Sequence, residues 1–211
     1  MNIDDLSTYF KGYYPKRTYE ETLQSFGRQL ENGTSRIGVI ENTSRRDNLM
    51  EIEFILANED AAKTIADLRH MIWCTTYRGI YSDEKIDNFD YEEHRQRDMQ
   101  RIQDPTYHVY LITDTDNPIG YFAFQDTGTV YIQSLYIRQE YQHKGIGKQV
   151  FSMIRKYCRK QGFSQFSCNC NSHNYPAQEF YRAMGGIIIK RDEGHADKYD
   201  DQITFEFTVR E

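Results

Sequence analysis

Over residues 51–56 apolar and charged side chains alternate, the pattern of a strand buried on one face. Ile65, Leu68 and Ile72 then recur at helical spacing behind Asn58 and Asp60, either of which can cap a helix reaching residues 73–77. A loop and a charged helical stretch follow. Three apolar segments, 107–112, 119–124 and 130–137, are separated by Asp-Thr-Asp-Asn-Pro and Asp-Thr-Gly-Thr. Both linkers are turn chemistry, so an antiparallel meander is expected. Next, Ile146, Val150, Ile154 and Cys158 make the apolar face of a helix whose other face carries Arg155, Lys156, Arg159 and Lys160. A strand at 163–171, a helix at 175–184 and a closing pair of strands at 187–190 and 203–209 complete the series.

The polar run Asn42-Thr-Ser-Arg-Arg-Asp-Asn48 reads as a linker, which makes residues 1–49 an arm on a domain spanning 50–211. Within the arm, Thr18 with Glu21 forms a capping-box pattern. Leu23, Phe26 and Leu30 share a helical face, Asn32-Gly33 ends the helix, and residues 36–40 suit a short strand. That apolar face must pack on the core or on a second copy of the chain, which would make a homodimer.

With 211 residues and 38% hydrophobic content, the chain can bury a full core. It has no apolar run near the ~20 residues of a membrane span. Its first residues, Met-Asn-Ile-Asp-Asp, lack the layout of a signal peptide, so a cytoplasmic protein is expected. The four cysteines are then free thiols. Cys168 and Cys170 sit on one face of a strand with no His or Cys pair at zinc-ligand spacing, so no metal is expected.

Charge is uneven along a chain of net −6. From Tyr141 to Gln178 there is no Asp or Glu, while Lys144, Lys148, Arg155, Lys156, Arg159 and Lys160 supply six cations. Inside this window the residues Gln142-His-Lys-Gly-Ile-Gly-Lys148 lead from a strand into the amphipathic helix. Gly145 and Gly147 remove side chains where a phosphate would approach the main chain, and the helix offers its unpaired N–H groups and positive dipole end. A polyanion site is expected at this turn. A nucleic-acid surface is disfavoured, because the whole chain is acidic and the basic helix face lacks interleaved aromatics.

Gln142-x-x-Gly145-x-Gly147 resembles the Q/R-x-x-G-x-G/A signature of GNAT N-acyltransferases. Asn174-Tyr-Pro-Ala177-Gln-Glu-Phe180-Tyr181-Arg-Ala-Met-Gly185 resembles that family's later block, in the order the family places it. The resemblance covers roughly residues 50–211. It implies an α/β (α+β) fold with a mixed, mostly antiparallel sheet flanked by helices, whose parallel fourth and fifth strands splay apart. It also implies acetyl-CoA as cosubstrate, with its pyrophosphate on Gln142, His143, Lys144, Gly145, Ile146, Gly147 and Lys148. The pantetheine arm would lie along the main chain of Leu135, Tyr136 and Ile137, freed by a bulge in the fourth strand, and Asn174 would bond to it besides capping its helix.

Transfer of an acyl group from a thioester to an amine needs a neutral amine, a stabilised oxyanion and a leaving thiolate that can be protonated. The resemblance places Tyr181 beside the sulfur as that acid; packing on the apolar face of Ala177, Phe180 and Met184 is its alternative role. No base is assigned, since the fourth strand has no acid and Asp126 and Glu140 are the nearest. Cys168 or Cys170 as nucleophile is disfavoured without a His or Lys partner. Tyr77 and Glu84 are the acceptor contacts expected. Eight acids between Ser82 and Asp104 would form a lid favouring a cationic amine, unless they are a solvated helix face. The acidic stretch 192–201, with His195, would form a second wall. The function expected is N-acetyl transfer to a small cationic or peptide amine in a ternary complex; the alternative is a non-catalytic acyl-CoA sensor.

Overall fold

The computed structural model describes residues 36–37 and 50–209. The helix expected between Thr18 and Gly33 lies outside the described residues. Strand β1, Arg36–Ile37, pairs antiparallel with β2, Ile52–Leu56. Helix α1 is Ala61–Ile72, extended by one π-helical turn, Trp73–Tyr77. Asn58, not Asp60, supplies the cap: its Oδ1 accepts from the Ala61 N–H at 3.3 Å. The charged stretch forms α2, Asp83–Asp87, and α3, Tyr91–Gln103, capped by Ser82 and Asp90.

The meander follows as β3, Tyr107–Asp114, β4, Asn117–Asp126, and β5, Val130–Ile137. After it come α4, Ile146–Gln161, β6, Gln165–Asn171, and α5, Tyr175–Ala183. The chain closes with β7, Ile187–Asp192, and β8, Gln202–Thr208. All eight strands form one sheet in the order β1-β2-β3-β4-β5-β6-β8-β7. The closing pair is a hairpin, as its two alternating runs suggest, but β8 inserts between β6 and β7.

Two apolar layers sandwich the sheet. On one side α4 lays Ile146, Val150, Phe151, Ile154 and Cys158 on Phe122, Ile132, Phe166, Phe205 and Phe207. On the other, α1 presses Ala61, Ile65 and Leu68 onto Val109, Leu111 and Tyr121. Large buried aromatics dominate, and Phe151 meets Phe207 edge-on at 5.0 Å.

The sheet opens at one place. Strands β5 and β6 run parallel and pair only at Val130–Phe166, Tyr131–Ser167 and Ile132–Cys168. Beyond Ile132 the two diverge. At the same level the β4–β5 register jumps from Phe124–Ile132 to Ala123–Ser134, leaving Gln133 as an extra residue. Such a bulge bends and twists its strand, which is what separates β5 from β6. Among the described residues no helix is long and apolar enough to cross a membrane.

Candidate active site

The splay is a wedge-shaped groove with α4 starting at its mouth. Past Ile137, Gln139–Tyr141 makes a single 3₁₀ turn, and the Gln142 side chain donates from Nε2 to the Ile137 carbonyl at 2.9 Å. Gln142 therefore ties the turn back to the strand. His143 and Gly145 take left-handed conformations, φ 59° and 83°, and α4 begins after Gly145 with no side-chain cap and no acid in its first turn. The first N–H groups of a helix have no intrahelical acceptor, so this end offers uncapped donors beside exposed His143, Lys144 and Lys148.

The two glycines have different reasons. A Cβ at Gly145 would meet nothing within 4 Å, so its need is the left-handed backbone. A Cβ at Gly147 would stand 2.9 Å from the Phe180 ring. Close packing of α4 against α5 therefore excludes a side chain at Gly147, where the sequence reading invoked an approaching phosphate. Arg155 also differs from expectation: its guanidinium donates to the Met184 carbonyl at 2.6 Å and closes the end of α5, away from the turn.

Opposite, Asn174 caps α5 by accepting from the Ala177 N–H at 3.2 Å and is buried. Two turns later Tyr181 reaches the floor of the groove, 8% exposed, beside Cys168 and Cys170. Burial, with Cys168 and Cys170 alongside, holds the Tyr181 phenol protonated, well above its usual range. Burial likewise raises Cys168 and pushes Cys170 up to about 12. Both thiols stay neutral and packed, as poor nucleophiles.

The near carboxylates are engaged elsewhere. Asp126 accepts from the Tyr157 hydroxyl at 2.8 Å at the far end of β5, and Glu140 pairs with Arg138. The acids expected in a lid are mostly committed too. Asp98 is buried in a bidentate pair with Arg69, Asp83 and Asp87 hold Arg78, and Glu92 binds Arg95. Asp90 caps α3, and Asp104 holds the N–H and hydroxyl of Thr106. Glu84, exposed in the first turn of α2, has no ion-pair partner among the described residues.

A cleft of about 640 Å³ opens between residues 79–83 and the loop 196–198, lined by Tyr81, Ser82, Asp83, Asp197 and Lys198. Residues from the expected second wall thus face those that follow the π-helical turn. Asp201 anchors that wall: it accepts from the His195 N–H, His195 Nδ1 and His173 Nε2, each at 2.9 Å. Those bonds hold its carboxyl well below the usual range, and the one to His195 raises that imidazole. Behind the cleft stands an aromatic cluster the sequence reading did not anticipate. Tyr77 stacks on Tyr81 at 4.5 Å, Tyr81 meets Tyr199 at 4.7 Å, and Trp73 packs edge-on against Tyr81 at 5.1 Å.

Comparison with known proteins agrees with this architecture. Spermidine N(1)-acetyltransferase of Thermoplasma acidophilum is 25% identical over 149 residues, 68% of this chain and 92% of that protein. Thialysine N-epsilon-acetyltransferase of Sus scrofa is 24% identical over 86 residues, 39% of this chain and 51% of the relative. The crystal structure of paia N-acetyltransferase from Thermoplasma acidophilum in complex with coenzyme A shares the fold at a TM-score of 0.64. It is 21% identical, with 75% of this chain and 99% of that one covered. Residues 65–185, more than half of the chain, match the acetyltransferase (GNAT) family. With the splayed strands, the bulge and the uncapped helix in place, this chain belongs to the GNAT acetyltransferase family.

Proposed function

We propose that this enzyme transfers the acetyl group of acetyl-CoA to a primary amine, a small cationic amine or a peptide amine, by direct attack while both substrates are bound. The observation that carries the reading is the uncapped start of α4 after left-handed Gly145, at the mouth of the β5–β6 splay. A pyrophosphate there would take the N–H groups of Ile146, Gly147 and Lys148, with His143 and Lys144 at its rim. The pantetheine arm would run along the main chain of Leu135, Tyr136 and Ile137, where the divergence of β6 leaves β5 without a partner on that side, and reach Asn174. Tyr181 would meet the sulfur.

The acceptor would enter by the cleft at Tyr81, with Tyr77 behind it and Glu84 supplying a free carboxylate for a cation. Relatives named for spermidine and thialysine acetylation support an amine of this kind. Residues 50–209 would carry the whole site, with the preceding arm adding only an edge strand to it or a contact with a second copy. A panel of amines assayed by release of free CoA tests the reading. Binding of acetyl-CoA with no amine-dependent thiol release would reject catalysis and leave a sensor.

The anion site has its own test. In Gly145→Asp the new carboxylate would cap α4 itself and occupy the place of the phosphate. Asp tolerates left-handed backbone better than most residues, so the fold should survive. Affinity for CoA, measured by calorimetry, should fall at least tenfold, about 1.4 kcal/mol or more. Unchanged binding would remove the turn from the cofactor site.

A further inference from the structure

Side chains in a strand alternate between faces, and Ile132 faces the α4 layer. Without the extra residue at Gln133, Tyr136 would face that way too. The bulge reverses the phase. Leu135 and Ile137 therefore pack with the α4 layer, while Tyr136 packs against the opposite cluster of α1 and the π-helical turn. A single residue thus has its main chain on the cofactor groove and its side chain on the side of the cleft.

The ring is held from two directions. Its centroid lies 5.2 Å from that of Tyr121 and 6.2 Å from that of Tyr77. The Tyr121 hydroxyl accepts from Arg69 Nε at 2.9 Å, and Asp98 locks that guanidinium in place. On the other side the Tyr77 ring packs beside Tyr136 and stacks on the cleft-lining Tyr81. Tyr121 and Tyr181 are buried, whereas Tyr136 is only half-buried. A phenol oxygen has two lone pairs. The half-buried Tyr136 oxygen can thus accept from a donor arriving from the cleft.

On the reading that the enzyme acetylates amines, we propose that the Tyr136 hydroxyl is a catalytic contact of the acceptor. It accepts a hydrogen bond from the attacking N–H and so aims the nitrogen lone pair at the thioester carbon. The C–N bond then forms and the C–S bond breaks, with the electron pair leaving on sulfur. The proton shed by nitrogen replaces the one that Tyr181 gives to the thiolate. Tyr136 keeps its own proton throughout and needs no change of charge; its contribution is alignment, to which transfer rates are steeply sensitive.

Steady-state kinetics of Tyr136→Phe and Tyr77→Phe, with the amine identified by the acceptor panel, test this. Tyr136→Phe should lower kcat/KM for the amine by about 10- to 100-fold, while KM for acetyl-CoA and calorimetric CoA affinity stay at the parent values. Tyr77→Phe, which keeps the ring beside Tyr136 and removes only a neighbouring hydroxyl, should cost less, on the order of fivefold. A Tyr136→Phe enzyme working at the parent rate overturns the proposal. So does a parallel loss of CoA affinity, which would make the residue a wall of the cofactor groove. A parent enzyme that releases no thiol with any amine defeats the acetyltransfer reading itself, and this proposal with it, before any variant is made.

Discussion

Tyr181→Phe should lower kcat about 100-fold and leave CoA affinity nearly unchanged, the usual scale for losing a general acid. The substitution removes one oxygen from a ring that packs with Phe151, Phe205 and Phe207, so the α5–sheet contact should persist. What disappears is the phenolic proton beside Cys168, which a CoA sulfur in the groove would take. Burial raises this phenol and at first sight weakens it as an acid. A thiolate leaving into the same dry wedge is raised for the same reason, so the pair stays matched. The shift also moves the pH signature. A phenol near pH 10 would impose an alkaline loss of rate within an ordinary assay range, whereas one held well above 10 should leave the parent profile flat there. Pre-steady-state and steady-state rates with one good amine check the first point, and a profile up to pH 10 checks the second. If the Phe variant keeps the parent rate, Tyr181 is a packing residue and the thiolate leaves without its help.

The local signals in this chain were legible because each is decided within a few residues. The glycine turn before α4, the apolar stripe from Ile146 to Cys158 and the Asn174 cap all follow from spacing and from what a helix end requires. The bulge was expected on β5, yet its position at Gln133, and with it the facing of Tyr136, depends on the register with β4. A second reason for Gly147 is not legible in the sequence, because nothing there shows that Phe180, over thirty residues later, lies against it. The acids of α2 and α3 divide in the same way. Glu92 with Arg95 and Glu93 with Arg97 sit at helical pairing distance and could be read as a solvated face. Asp98 could not, because its partner Arg69 lies on another helix. One trace existed in the pattern: Arg69 stands four residues after Ile65, on the buried face of α1 beside Leu68, where a charge calls for a buried partner.

That partner gives the largest stability effect expected in this protein. Arg69 on α1 and Asp98 on α3 each expose 4% of their side chains, and two hydrogen bonds of 2.6 and 2.8 Å join them. Around the guanidinium are the Tyr121 hydroxyl and His94, an imidazole that burial, with Arg97 and Arg69, pushes down to about 3 and so keeps neutral. Asp98→Asn leaves a cation in that interior without its counter-charge, a change that costs about 3–5 kcal/mol where buried pairs are broken from one side. For a chain of this size the midpoint of thermal unfolding should fall by roughly 6–20 °C. Removing both charges is different, since an apolar pair of similar volume need not pay for desolvation. Arg69→Met with Asp98→Leu should therefore recover most of the loss, as followed by chemical denaturation. The recovery should not extend to catalysis, because Tyr121 would still lack the donor that fixes it against Tyr136. A double variant restored in stability but slow toward the amine would separate the two duties of the ion pair. An Asp98→Asn protein within about 1 kcal/mol of the parent would show that apolar contacts alone hold α3 on α1.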